Sequence, residues 1–188
     1  MNGIVIAIDA GTTGIRSAAI DQQGRIVSFS YREFTQHFPR PGWVEHDADE
    51  IWQVTQATLQ ELSTHVTGPV AAIGITNQRE TIVAWDRTTG RPLHRAIVWQ
   101  DRRTADRCER LEADGHLDLV RRRTGLVLDP YFSGTKLGWL FEEAGVPTAN
   151  TAVGTIDTWL IHKLTGGVAH VTEPSNASRT LLLSLIHI

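Results

Sequence analysis

Cysteine is almost missing from this chain, with Cys108 the sole example in 188 residues. That excludes an internal disulfide and points to a reducing compartment. Cys108 lies in a charged helical pattern, TADRCERLEADG, with no base close in sequence, and reads as a bystander rather than a nucleophile. Long apolar runs are also lacking. No window reaches the length of a transmembrane helix, and the run within MNGIVIAIDAG is too short for a secretory core and has no basic flank. Neither sign of charge dominates: eighteen basic side chains face twenty-one acidic ones, for a net −3. This argues against nucleic acid or an anionic membrane as a partner. The cluster Arg121-Arg122-Arg123 reads as a solvated helix end, and the glycosylation sequon Asn176-Ala177-Ser178, without an export signal, is expected to be idle. Cytoplasmic residence is the resulting expectation.

Hydrophobic residues make up 41% of the chain, enough for one domain with a real core. Residues 4–8 read as a short buried strand, followed by Asp9 and the turn Gly11-Thr12-Thr13-Gly14. Residues 15–20 and 25–34 read as further strands across the hairpin signal Gln22-Gln23-Gly24. The chain therefore opens as an antiparallel meander. A link bearing proline and glycine, PRPGWVEHD, leads to a helix capped by Asp47 or Asp49, with Ile51, Val54, Leu59 and Leu62 on one face. Strands are expected over 71–75, 81–86, 96–100 and 151–155, and helices over 104–114, 116–123, 136–144 and 157–164. A meander followed by strands alternating with helices implies an α/β fold, a mixed sheet flanked by helices.

Three segments carry chemistry by residue type. In IDAGTTGIRS a carboxylate at a strand end precedes a turn whose backbone N–H groups and two hydroxyls can face an anion. Asp9 would then face a metal ion bridging phosphates. The same letters also fit a plain hairpin, and they match neither the Walker A pattern nor the dinucleotide fingerprint. In AAIGITNQRET, a run that reads as a strand buried on both faces passes directly into Asn77, Gln78, Arg79 and Glu80. An arginine beside a glutamate suits a ligand with adjacent hydroxyls, since a hydroxyl donates to a carboxylate and accepts from a guanidinium. Solvated charges on an emerging strand are the plainer alternative. The third segment, AIVWQDRRT, also ends abruptly in polar residues, and two such strand ends suggest a shared cleft. There Trp99 would cover the carbon face of a small polyol, and Tyr131 in LDPYFSGTK would add a hydrogen bond; core packing is the alternative for each.

Seven segments in order, DAGTTGIRS, PGWVEHD, GITNQRET, AIVWQDRRT, TGLVLDPYFSGTK, GTIDTWLIHKLTGG and SNASRT, resemble the N-terminal half of the glycerol kinases. These belong to the FGGY carbohydrate kinase family within the actin-like (ribonuclease H-like) ATPase superfamily. The resemblance implies an incomplete actin-like domain. It places Thr12, Thr13, Gly14 and Arg16 at positions that contact ATP or ADP phosphates, and Asp9 at the carboxylate near magnesium. It places Arg79, Glu80, Trp99 and Tyr131 at the glycerol pocket. The activity it implies for a full-length parent is phosphorylation of glycerol to glycerol 3-phosphate with ATP and Mg2+, by a homo-oligomer. A pentulose or another polyol is the alternative substrate, and a non-catalytic actin-like module is the alternative for the isolated chain. No catalytic residue is expected here, because the family's aspartate base would lie beyond Ile188, and the isolated chain is expected to be inactive.

Two departures from the family pattern stand out. Ala10 replaces a glutamine common in such kinases, and Gly14-Ile15 replaces a serine pair, so fewer hydroxyls are expected at the phosphate turn. The resemblance covers residues 1–182 as one truncated domain. Residues 183–188, LSLIHI, are what a transposon-end sequencing adapter encodes when read in frame, and are expected to be non-native.

Overall fold

The computed structural model describes residues 3–184, so residues 185–188 of the expected non-native tail lie outside the described residues. In chain order the elements are β1 (Ile4–Ala10), β2 (Gly14–Ile20), β3 (Ile26–Glu33), β4 (Gln36–His37), β5 (Glu45–His46), α1 (Ala48–Ser63), β6 (Val70–Asn77), β7 (Ile82–Asp86), β8 (Ala96–Ile97), α2 (Ala105–Ala113), α3 (Leu117–Thr124), α4 (Ser133–Glu142), β9 (Thr151–Thr155), α5 (Ile156–Leu164) and α6 (Pro174–Ala177). They fall into two compact units. One is built from residues up to Gln36 together with Asp47–Gln78, the other from His37–His46 together with Arg79 onward.

In the first unit the strands run in the order β3-β2-β1-β6. β1, β2 and β3 are antiparallel neighbours, the expected meander, while β6 lies parallel to β1 with Ile75 opposite Ile8. The meander turns on Asp21, whose carboxylate accepts from the Gln23 and Arg25 N–H groups at 2.9 Å. α1 starts on Asp47, which accepts from the Asp49 and Glu50 N–H groups. Its buried face is turned from the expected one: Ala48, Ile51, Thr55, Thr58 and Leu62 are buried, whereas Val54 and Leu59 are half-buried. The reason lies in the strand beneath, where the Ser17 hydroxyl meets Thr58 Oγ1 at 2.8 Å. Thr55 turns its own hydroxyl back to the Ile51 carbonyl at 2.8 Å. Both threonines are thereby satisfied inside a small-residue contact, and a search for large apolar residues passes over them.

β6 corrects the expectation of a strand buried on both faces. It is the edge of its sheet, with Val70 52% and Ile73 49% exposed. A continuous apolar run marks a buried strand only where layers cover both of its faces, and α1 packs on β2 and β3.

The second unit holds a sheet in the order β4-β5-β8-β7-β9, with antiparallel pairing of β8 to β5 and of β7 to β8 and β9. The PGWVEHD link, expected as a plain connection, contributes β5 to it. Ile82, Ala84 and Ile97 pack on Trp139, Leu140 and Val146 to form the core. Of the polar run after β8, expected to line a cleft, Asp101 and Arg103 turn inward while Gln100 and Arg102 stay exposed. Arg103 lies between the rings of Trp43 and Trp139, at 3.8 and 4.5 Å, and reaches Asp101 and Glu45 at 2.8 Å each. A guanidinium with no exposure needs such partners.

α3 ends at Gly125 with Arg121, Arg122 and Arg123 exposed in its last turn, as cations at a helix C-terminus should be. Cys108 is buried and burial pushes its thiol pKa up, as befits an inert packing residue. The sequon asparagine is also buried: Asn176 Nδ2 donates to Asp157 and Thr172 at 3.0 and 3.1 Å, and also to Thr155. Among the described residues no helix is long and apolar enough to cross a membrane.

Candidate functional site

The turn between β1 and β2 is closed by the Gly11 N–H, which donates to the Gly14 carbonyl at 3.0 Å. The other turn carbonyls are bonded as well. Gly11 O accepts from Gln78 Nε2 at 3.1 Å, Thr12 O from Gln36 Nε2 at 3.0 Å, and Thr13 O from the Phe34 N–H at 3.3 Å. The negative end of every peptide in the turn is therefore held by the protein, which suits the turn to an anion. Gln78 is buried beside it, and its own N–H donates to Ala10 O at 3.0 Å.

Asp9 and Arg16 face each other in the β1–β2 register, and both are exposed. Thr13 is exposed, Thr12 half-buried and Gly14 buried. All five residues read from the sequence thus gather at one end of this sheet. An exposed carboxylate such as Asp9 fits Mg2+, which keeps several waters and takes one or two carboxylates beside substrate phosphates. Among the described residues there is no cluster of three or more ligating side chains for a metal held by protein alone.

The polyol candidates lie in the second unit, and the strand register explains their meeting. Ile82 of β7 pairs with Ile97 of β8. Two residues further along this antiparallel pair, Glu80 comes opposite Trp99. The Trp99 N–H donates to Thr81 Oγ1 at 3.2 Å, pinning the two ends together. Glu80 therefore sits at the amino end of β7, not at the carboxyl end of β6 where the sequence reading put it.

Glu80 is 3% exposed, and its carboxylate is paired with Arg179 Nε at 2.9 Å. The Arg179 guanidinium also lies over the rings of Phe132 and Tyr131, at 4.9 and 5.6 Å. Its hydrogen bond to Glu80 holds the guanidinium pKa above its ordinary value. Tyr131 in turn meets Trp99 at 5.4 Å between ring centroids. The Ser133 hydroxyl donates to the Glu80 carbonyl at 2.9 Å, so the start of α4 fixes the backbone behind the carboxylate. Lys136 of α4 is fully buried and donates to the Tyr131 carbonyl at 2.9 Å. Burial pushes its pKa down to about 7, against the pull of Asp101, Glu80 and Asp129.

Arg79 does not share this burial. It is exposed, and its charge reaches Glu173, whose carboxyl is held low first by the Ser175 hydroxyl. The cation that meets Glu80 is Arg179, a partner sequence reading missed. SNASRT was visible as a segment, yet nothing in it marks an arginine destined for a glutamate 99 residues away. Lys136 was missed as well, since a buried amine has no local signature, and Gln78 was seen only as part of a polar run, without its bond to the turn.

Comparison with known proteins places the chain as a whole. The sequence model of the FGGY family of carbohydrate kinases, N-terminal domain, matches residues 4–187. A glycerol kinase from Nostoc sp. is 52% identical over 188 residues, covering 98% of this chain and 38% of that protein. The crystal structure of Plasmodium falciparum glycerol kinase with ADP superposes with a TM-score of 0.88 at 32% identity, covering 98% of this chain and 38% of that one. A xylulose kinase from Rhodospirillum rubrum superposes at 0.89 with 26% identity and the same coverage. The chain thus spans just over a third of the length of the relatives it matches. Over that third the matches run along almost the whole of this chain, and the chain belongs to the FGGY family of carbohydrate kinases.

Proposed function

We propose that the chain is the N-terminal part of an ATP-dependent glycerol kinase. The observation that carries this is the buried Glu80 carboxylate, oriented by Arg179 at 2.9 Å beside the Trp99–Tyr131 ring pair. A glycerol hydroxyl can donate to such a carboxylate while the rings cover C–H groups. A ligand lacking that hydroxyl leaves a buried acceptor unanswered, at about 1–3 kcal/mol. Identity of 52% to a curated glycerol kinase, and of 32% to a solved glycerol kinase against 26% to a solved xylulose kinase, favours the three-carbon substrate.

In the proposed reaction a terminal glycerol oxygen attacks the γ-phosphorus of ATP, the bond to the bridging oxygen breaks, and ADP leaves. The hydroxyl proton passes to a base outside these 188 residues. Bound magnesium would neutralise phosphate charge, with Asp9 as its protein contact. The turn from Gly11 to Gly14, with Thr12, Thr13 and Arg16, would hold phosphate oxygens.

The test is Glu80→Gln in the full-length kinase. Expected is a fall of about a hundredfold in kcat/KM for glycerol, on the order of 3 kcal/mol, with KM for ATP little changed. Wild-type efficiency in this variant would overturn the pocket, and a wild-type preference for xylulose would overturn the substrate.

A further inference from the structure

We propose that Tyr31 supplies the hydroxyl that position 14 lacks, and donates a hydrogen bond to a nucleotide phosphate held at the turn. This rests on reading that turn as a phosphate site.

The turn offers side-chain hydroxyls from Thr12 and Thr13, and Gly14 offers none. A Cβ built at Gly14 would stand 2.7 Å from the Tyr31 hydroxyl, 2.8 Å from its ring and 2.5 Å from the Arg32 carbonyl. The phenol therefore occupies the space that a side chain at position 14 would fill, and glycine is what allows it there. Strand register adds a second, independent observation. Tyr31 pairs with Arg16 across β2–β3, and Arg16 with Asp9 across β1–β2, so the three side chains form one row on one face of the sheet. The Arg16 guanidinium lies over the Tyr31 ring at 5.7 Å, which ties the phenol to the row's cation. Tyr31 is 43% exposed, so the row remains open to a ligand rather than sealed in a core.

A space-filling ring would serve as well without its oxygen, and this separates the two roles. In the full-length kinase, Tyr31→Phe keeps the ring over Gly14 and removes the donor alone. ADP with magnesium, titrated by calorimetry, is expected to bind about tenfold more weakly to this variant, as for a lost hydrogen bond to a charged group. Adenosine, which has no phosphate, and the melting temperature should be unchanged. Arg16→Ala is the reference, since it removes the row's cation and so tests the phosphate turn while the phenol oxygen is still present. If Arg16→Ala weakens ADP and Tyr31→Phe does not, the Tyr31 proposal is overturned and the turn stands. If neither variant weakens ADP, the phosphate reading falls and takes this proposal with it. An equal loss of ADP and adenosine in Tyr31→Phe would make Tyr31 a packing residue and overturn the proposal.

Discussion

Gln78 shows how much one buried amide can organise. Its side chain donates to Gly11 O and its backbone to Ala10 O, so a single residue braces both sides of the entry to the turn. Gln78→Ala leaves the Gly11 carbonyl without this donor, a loss of about 1–3 kcal/mol where the group stays buried. The expected outcome is faster amide hydrogen exchange over residues 11–14, with β7 and β9 unaffected; wild-type rates at the turn would refute the bracing role. At this scale the sequence was half legible. Polar residues following an apolar run did mark buried, partnered positions, because burying Gln78 or Glu80 is costly unless a partner is waiting. Which partner waits was hidden: Arg79 adjoins Glu80 in sequence but is exposed, while Arg179 arrives from the far end of the chain.

Among the elements, β5 was the hardest to foresee. Two residues carry no periodicity, yet Glu45 and His46 pair with Ile97 and Ala96 and bring a histidine into the sheet with no exposure. Burial first, and the charge of His37 second, push the His46 pKa down to about 4. The imidazole is therefore neutral in the fold, whereas in the unfolded chain it takes a proton near its ordinary pKa of 6.5. Its contribution is complete above pH 6.5 and is lost as the pH falls towards 4, because the unfolded state then binds the extra proton. Between pH 7 and pH 5 the loss is about 2 kcal/mol. Urea midpoints followed by tryptophan fluorescence at low protein concentration should show that fall in the wild type and a smaller one in His46→Asn. Parallel falls in both proteins would exclude His46 as the source. The longer elements were easier to see, since β1, β2, β3, α1 and α5 carry clear periods and the turns between them carry glycine or a capping aspartate. α4 begins at Ser133, earlier than expected, because its first turn serves Glu80 rather than the apolar core.

At the scale of the chain, the sheet of the first unit keeps apolar surface that its own helix does not cover. Ile26, Val27 and Phe29 on one edge strand are 63%, 52% and 63% exposed, and Val70 and Ile73 on the other are 52% and 49% exposed. Register lines Phe29 up with Ala18, Ala7 and Gly74 across all four strands, making a low shelf of small residues bounded by one large ring. Both edges also carry backbone groups able to pair with another strand, the setting in which edge-to-edge association begins. Composition could not reveal this, because 41% hydrophobic residues describes a covered sheet and a bare one equally well. Ile73 stands one residue before Gly74, in the row of Ile6 and Ala19, so Phe29 and Ile73 expose apolar side chains on opposite faces of the sheet. The 188 residues alone should therefore bind the dye ANS and associate as concentration rises. Phe29→Thr, which keeps a strand-forming side chain while removing the ring, should lower both signals, and Ile73→Thr should lower them at the opposite edge. Sedimentation velocity over a hundredfold range of concentration distinguishes the cases: a single monomeric boundary throughout, without dye binding, would mean that the shelf is not sticky and that the chain needs no further cover.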